Sequence, residues 1–225
     1  MSVNLTAYQQ INEQLKPYNA KLVAVSKIKP VSDIQALYDA GQRIFGENYV
    51  QELQDKQPQL PADIEWHFIG HLQSNKVKYI APFVSMVHAV DSLKLLEEIS
   101  KQAAKHNRVI RCLLQVHIAA EETKFGLDDT ELEQLLETYT AQKDRFAHIQ
   151  IAGLMGMATN TDDMQQVKNE FHHLHTLQQG MKQRFFADTD AFTELSVGMS
   201  GDYKIALEEG STMVRIGSML FGARY

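Results

Sequence analysis

Eight short apolar runs alternate with segments of helical periodicity along this chain, and that alternation leaves few folds open. The runs are LVAVS (22–26), RIFGEN (43–48), EWHFIG (65–70), SMVHAV (85–90), IRCLLQVHI (110–118), HIQIAGLMGM (148–157), ELSVG (194–198) and MVRIGSMLFG (213–222). Helical patterns fill 33–40, 50–59, 75–82, 92–106, 130–143, 164–185 and 202–209. Strands joined by crossovers of this length pair in parallel, through right-handed connections. Eight such units in about 200 residues match the lower end of the size range of a (β/α)8 barrel of TIM type, with an extra N-terminal helix over 3–15. An open doubly wound sheet is the rival arrangement, but the number and length of the strands suit closure. No low-complexity tract or Pro/Gly/Ser-rich linker breaks the pattern, so 1–225 reads as a single domain.

Composition narrows the class of protein. At 44% apolar and 22% charged residues the chain can bury a sizeable core. Its longest apolar runs, such as AGLMGMA, fall far short of the ~20 residues that cross a bilayer, and residues 1–21 hold no apolar signal-peptide segment. A cytoplasmic protein is expected, with no membrane partner. The single cysteine, Cys112, excludes an intramolecular disulfide framework and a thiolate zinc cluster, and its place inside VIRCLLQV reads as core packing rather than as a nucleophile. A net charge of -6 argues against a general nucleic-acid surface and leaves small molecules as the expected partners.

Barrels of this type gather functional residues at the C-terminal ends of their strands. Here those ends supply Ser26 and Lys27, Glu47 and Asn48, Gly70 and His71, Met155 and Met157, the stretch 198–201 and the stretch 215–218. Two of these features bear on chemistry. GMSGDYKIALEEGS turns through Gly and Ser directly into a helix, and the eighth run carries RIGS. Backbone N–H groups at such turns, flanked by small residues, form an anion cradle, and the loops after strands seven and eight are where barrels frequently hold phosphate. Ser200, Gly201, Gly217 and Ser218 are the expected phosphate contacts. The alternative is that 200–202 simply caps a helix through Asp202 or Ser200.

The second feature is Lys27, in LVAVSKIKP. A lysine at the mouth of a buried strand can snorkel into water. Opposite a phosphate cradle, a desolvated lysine near other cations can instead form a Schiff base. A ligand bearing both an aldehyde and a phosphate, pyridoxal 5'-phosphate (PLP), satisfies both features. PLP sites hold the ring nitrogen with an Asp or Arg, and strand alternation turns Arg215 and Gly217 the same way, into the barrel.

Together AVSKIKP, FGENYVQE, WHFIGHLQSNK, GLMGMA and GMSGDYKIALEEGSTMVRIGSMLFG resemble the pyridoxal phosphate homeostasis proteins, relatives of the N-terminal barrel of alanine racemase, over about residues 22–222. The resemblance implies that Lys27 carries PLP as a Schiff base, that Arg215 faces the pyridine nitrogen, that Ser200, Gly201, Gly217 and Ser218 surround the phosphate, and that Asn48 lies near the ring. The sequence departs from the family pattern at VHIAAEETKFG, where Asn-x-Ser-Gly-Glu-Glu-Ser-Lys is commoner and the role of Lys124 is open. It departs again at SVGMSGD and RIGSMLFG, the latter keeping the hydroxyl of the commoner RIGTALFG.

A guanidinium beside the ring nitrogen disfavours a pyridinium and weakens the ring as an electron sink. The resemblance also implies that racemases bring a second acid/base group from a separate C-terminal domain, whereas this chain stops at Tyr225, three residues past Gly222. The expected function is therefore storage, delivery or buffering of PLP for apo PLP enzymes, without efficient catalysis, by a monomer. A low-activity amino-acid racemase or lyase and a Schiff-base aldolase acting on a phosphorylated sugar are the competing readings. FHHLH places His172 and His175 three apart, but with no third ligand at a matching spacing it reads as a solvated helix face, and no metal site is expected. His67 reads as a core histidine, and His71 as a ligand contact. Met155 and Met157 wall a ring or fill core. Glu47 is a general base or the partner of a lysine such as Lys29, and Lys29, Lys76 and Lys78 cluster near the expected mouth.

Overall fold

The computed structural model describes residues 3–121 and 124–222. Eight parallel strands close a barrel in chain order: β1 (Lys21–Val25), β2 (Ile44–Glu47), β3 (Glu65–Phe68), β4 (Met86–Val90), β5 (Ile110–Gln115), β6 (Ile149–Met155), β7 (Glu194–Ser196) and β8 (Met213–Ile216). Around it run α1 (Leu5–Leu15), α2 (Val31–Asp39), α3 (Val50–Lys56), α4 (Val77–Ile80), α5 (Leu93–Ala104), α6 (Asp129–Ala141), α7 (Met164–Phe185), α8 (Tyr203–Glu208) and α9 (Ser218–Phe221). The expected TIM-type barrel and its leading helix are thus present. Among the described residues no helix is long and apolar enough to cross a membrane.

The strands read as apolar runs because both of their faces are buried. In β1, Leu22 and Ala24 pack outward against the helices, while Val23 joins Met86, Ala89, Leu113, Ala152, Met155 and Met213 in the plug that fills the barrel. Polar side chains start the helices: Asn4 accepts from the Ala7 N–H, Ser92 from Leu95, and Asp128 and Glu131 close a reciprocal box at α6. Gly153 is required where β6 bulges, since at φ 151° a Cβ would fall 1.8 Å from the Glu194 carbonyl oxygen.

Three boundaries differ from expectation. The run 213–222 divides at Gly217 into β8 and the short helix α9, because a continuous apolar stretch fits a buried helix as well as a strand. Residues 75–82 hold only one α-turn, and β5 ends at Gln115, followed by a single bridge from Val116 to Leu127. In the loop after β5, Glu122 and Thr123 lie outside the described residues. Lys124 donates to the Ala158 carbonyl at 2.6 Å and pairs with Glu121 at 3.1 Å, tying that loop to the end of β6.

Candidate functional site

The mouth of the barrel at β1, β7 and β8 holds a cavity of about 400 Å³, and all seven residues expected at a ligand, Lys27, Asn48, Ser200, Gly201, Arg215, Gly217 and Ser218, line it. Val25, Lys29, Ile69, Met157, Met199 and Gly222 complete the wall. Lys27, Lys29 and Arg215 bring three cations to this wall, and none of the described lining residues is a carboxylate. Such a cavity favours an anion.

Arg215 is buried and rests on neutral acceptors. Its guanidinium donates to the Ser196 carbonyl and hydroxyl, each at 2.7 Å, and to the Gly156 carbonyl at 3.0 Å. Burial lowers its pKa to about 10, and the Asp202 carboxylate partly opposes that shift. Beneath it Ser196 Oγ meets His88 Nδ1 at 3.1 Å, and His88 Nε2 meets His67 Nδ1 at 2.9 Å. Burial, with Arg111 adding to it, pushes His67 down to about 3, and burial with His67 and Arg215 pushes His88 well below its ordinary value. Both imidazoles are therefore neutral, each with one N–H to share along the file. His67 is a satisfied core histidine, as expected. Ser196 and His88 were not anticipated from sequence; their signal is a polar residue at an inward strand position, but their pairing spans 108 residues.

The anion side has two parts. After β7, Gly198 at φ 94° allows the chain to turn onto α8, where a Cβ would collide with Ala206 at 2.6 Å. Among the described residues, the backbone N–H groups of Ser200, Gly201 and Ser218 find no acceptor. Gly217 lies over the Val25 carbonyl, which a Cβ would approach to 3.1 Å, whereas a Cβ on Gly201 would meet nothing. The capping alternative holds in part: Asp202 accepts from the Met199 N–H at 2.6 Å and steadies the turn.

Other expected residues fall elsewhere. Glu47 is fully buried and pairs with Lys56 at 2.8 Å, not with Lys29, whose ammonium donates to the Phe221 carbonyl at 2.8 Å. Burial raises the Glu47 carboxyl, a shift that Lys56 opposes. Met155 fills barrel core. His71 lies in a neighbouring cavity of about 660 Å³ with Tyr49, Lys76 and Tyr79, pairs with Asp91 at 3.3 Å and stacks on Phe125. Asn48 borders both cavities, and its buried Oδ1 finds no partner. The FHHLH histidines diverge, His172 to Glu209 at 2.9 Å and His173 to Asp129 at 3.4 Å, while His175 packs under Gly210. Cys112 is buried, which pushes its thiol pKa up.

Residues 6–225 match the family model for the alanine racemase N-terminal domain. The chain aligns with alanine racemase from Bartonella henselae at TM-score 0.71 and 18% identity, covering 99% of this chain and 60% of that one, which is a likeness of fold. Fold and mouth together define a barrel of the alanine racemase N-terminal class. PipY of Synechococcus elongatus superimposes at TM-score 0.89 with 35% identity over 96% of this chain and 99% of that one, and its PLP-bound form at 0.85. The pyridoxal phosphate homeostasis protein of Aquifex aeolicus is 39% identical over 91% of this chain and 87% of its own length, and that of Pasteurella multocida 38% identical over 98% and 96%. The chain belongs to the pyridoxal phosphate homeostasis protein family.

Proposed function

We propose that this chain binds PLP in the β1/β7/β8 cavity and stores, delivers or buffers it, with Lys27 as the covalent anchor. The carrying observation is convergence: one amine at the end of β1, one buried guanidinium on β8 and two Gly/Ser turns share a single cavity. Its residues fit the cofactor. The volume suits a small aromatic ligand. The N–H groups of Ser200, Gly201 and Ser218 suit a phosphate, and the orphaned Asn48 Oδ1 offers a polar contact beside the ring. Lys27 would hold the aldehyde end by condensation of its amine with loss of water, and Arg215 would donate to the pyridine nitrogen and disfavour its protonation.

Absence of efficient catalysis is the companion proposal. Among the described lining residues the titratable groups are Lys27, Lys29 and Arg215, with no tyrosine, histidine or carboxylate to exchange a proton at a substrate α-carbon, and Lys29 is held by the Phe221 carbonyl. The same reading has residues 1–225 acting as one PLP-binding unit, as a monomer in the cytoplasm, with apo PLP enzymes as recipients. The names of the relatives and the single buried cysteine support it.

The test is spectroscopic and chemical. Protein mixed with PLP is expected to turn yellow, to bleach with hydroxylamine and, after borohydride reduction, to carry the label on the peptide containing Lys27. A label elsewhere, or protein that stays colourless with saturating PLP, overturns the anchor. Rapid, saturable exchange of amino-acid α-hydrogen in heavy water overturns the non-catalytic assignment in favour of a racemase.

A further inference from the structure

We propose that Lys56 and Glu52, on α3 and outside the cavity, are positioning residues that hold the Lys27 turn in its imine-forming conformation; this rests on the Schiff-base reading above. Residues 26–29 form a tight turn closed by the Lys29 N–H on the Ser26 carbonyl at 3.1 Å. Its third residue, Ile28, sits at φ 64°, a left-handed conformation that a β-branched side chain disfavours and that Gly or Asn usually fills. Such a conformation persists only where its surroundings over-determine it.

Here they do. The Ile28 N–H donates to Glu52 Oε1 at 2.5 Å. The buried Lys56 ammonium uses its three donors on the Ser26 carbonyl at 2.8 Å, Glu47 Oε1 at 2.8 Å and Glu52 Oε1 at 2.6 Å. Ser26 Oγ completes the set on Glu47 Oε1 at 2.7 Å. Lys27 therefore lies between two residues whose backbones are pinned by one network. Burying the Glu47–Lys56 pair, with Glu52 part-exposed beside it, is a poor route to stability, since apolar residues of like volume often do as well, but it fixes geometry. The network also accounts for a lysine following a buried strand with no glycine at the turn.

Glu52→Ala is the deciding variant, because Glu52 is part-exposed whereas loss of Lys56 strands the buried Glu47 carboxylate. Lys56→Met serves as the stronger variant, with a melting curve to establish folding. Stopped-flow absorbance follows imine formation with PLP, and calorimetry follows pyridoxine 5'-phosphate, which keeps the phosphate and ring but has no aldehyde. Glu52→Ala is expected to form the imine about tenfold more slowly while holding pyridoxine 5'-phosphate within about twofold of wild type. Adding Ile28→Gly, which adopts the turn without strain, is expected to restore most of the rate. Wild-type imine kinetics in Glu52→Ala overturn the proposal, as does an equal loss for both vitamers that Ile28→Gly does not rescue. Wild-type protein that binds both vitamers but never traps at Lys27 overturns the Schiff-base reading, and the clamp with it.

Discussion

The two ends of the barrel interior handle buried charge in opposite ways. At the N-terminal end Glu194 of β7 accepts from Lys21 at 2.5 Å, Arg111 at 2.8 Å and Thr212 at 2.9 Å, so cations from β1 and β5 meet a carboxylate. Two residues further along the same strand stands Ser196, and the cation it receives, Arg215, has carbonyls and a hydroxyl for company. Between the ends lie His67 and His88, held neutral by burial and by the cations beyond them. An internally neutralised end serves cohesion. The other end bonds its guanidinium to neutral acceptors, with the Asp202 carboxylate acting from a distance, which is the arrangement the proposed binding role calls for.

That contrast is broken most directly at Lys27. Lys27→Ala is expected to abolish the borohydride-trapped adduct while moving the melting temperature of ligand-free protein by only about 2 °C, since a substitution at the mouth removes no core contact. A collapse in stability would make the mouth structural after all. Glu194→Ala should do the reverse: it strands two part-exposed cations and is expected to lower urea stability by about 2 kcal/mol, less than a fully buried pair would lose, with PLP titration of the folded protein unchanged. Weakened PLP binding in that variant would merge the two ends into one electrostatic unit.

The neutral layer has its own signature in pH. His67 falls from 6.5 to about 3 in the fold, so between those values the unfolded chain binds the extra proton and the native state does not. The stability it contributes is whole above pH 6.5 and declines as pH drops below it, by about 1.4 kcal/mol per pH unit, with His88 acting in the same direction. Urea midpoints between pH 7 and pH 5 are expected to show this slope, and His67→Gln to make it shallower. Ser218→Ala should give the smallest effect, a few-fold loss of PLP affinity or about 1 kcal/mol, because the backbone cradle remains. A hundredfold loss in titration would move the phosphate grip from backbone to hydroxyl.

The barrel was legible because strands buried on both faces write themselves as apolar runs at helical intervals. The boundary at Gly217 was not, since SMLF is as apolar as the strand before it. The seven expected lining residues were readable from a single rule about strand ends, a local property of sequence. What escaped were pairings across the barrel: Ser196 with His88 is a matter of which inward positions face each other, and nothing in QELQDKQ distinguishes the buried Lys56 from an ordinary solvent-facing helix lysine. From sequence Glu47 reads as a general base or as the partner of a lysine such as Lys29, yet its partner is Lys56 on α3, which is nearer along the chain but looks like an ordinary helix lysine.

Closure of the ring couples its first strand to its last. Arg215 pairs in register with Val23, Asn4 donates to the Leu220 carbonyl, and Lys29 reaches the Phe221 carbonyl. Lys27 therefore emerges early in the chain, but the cavity beside it has no complete wall until β8 and α9, which carry Arg215, Gly217 and Ser218, dock against β1.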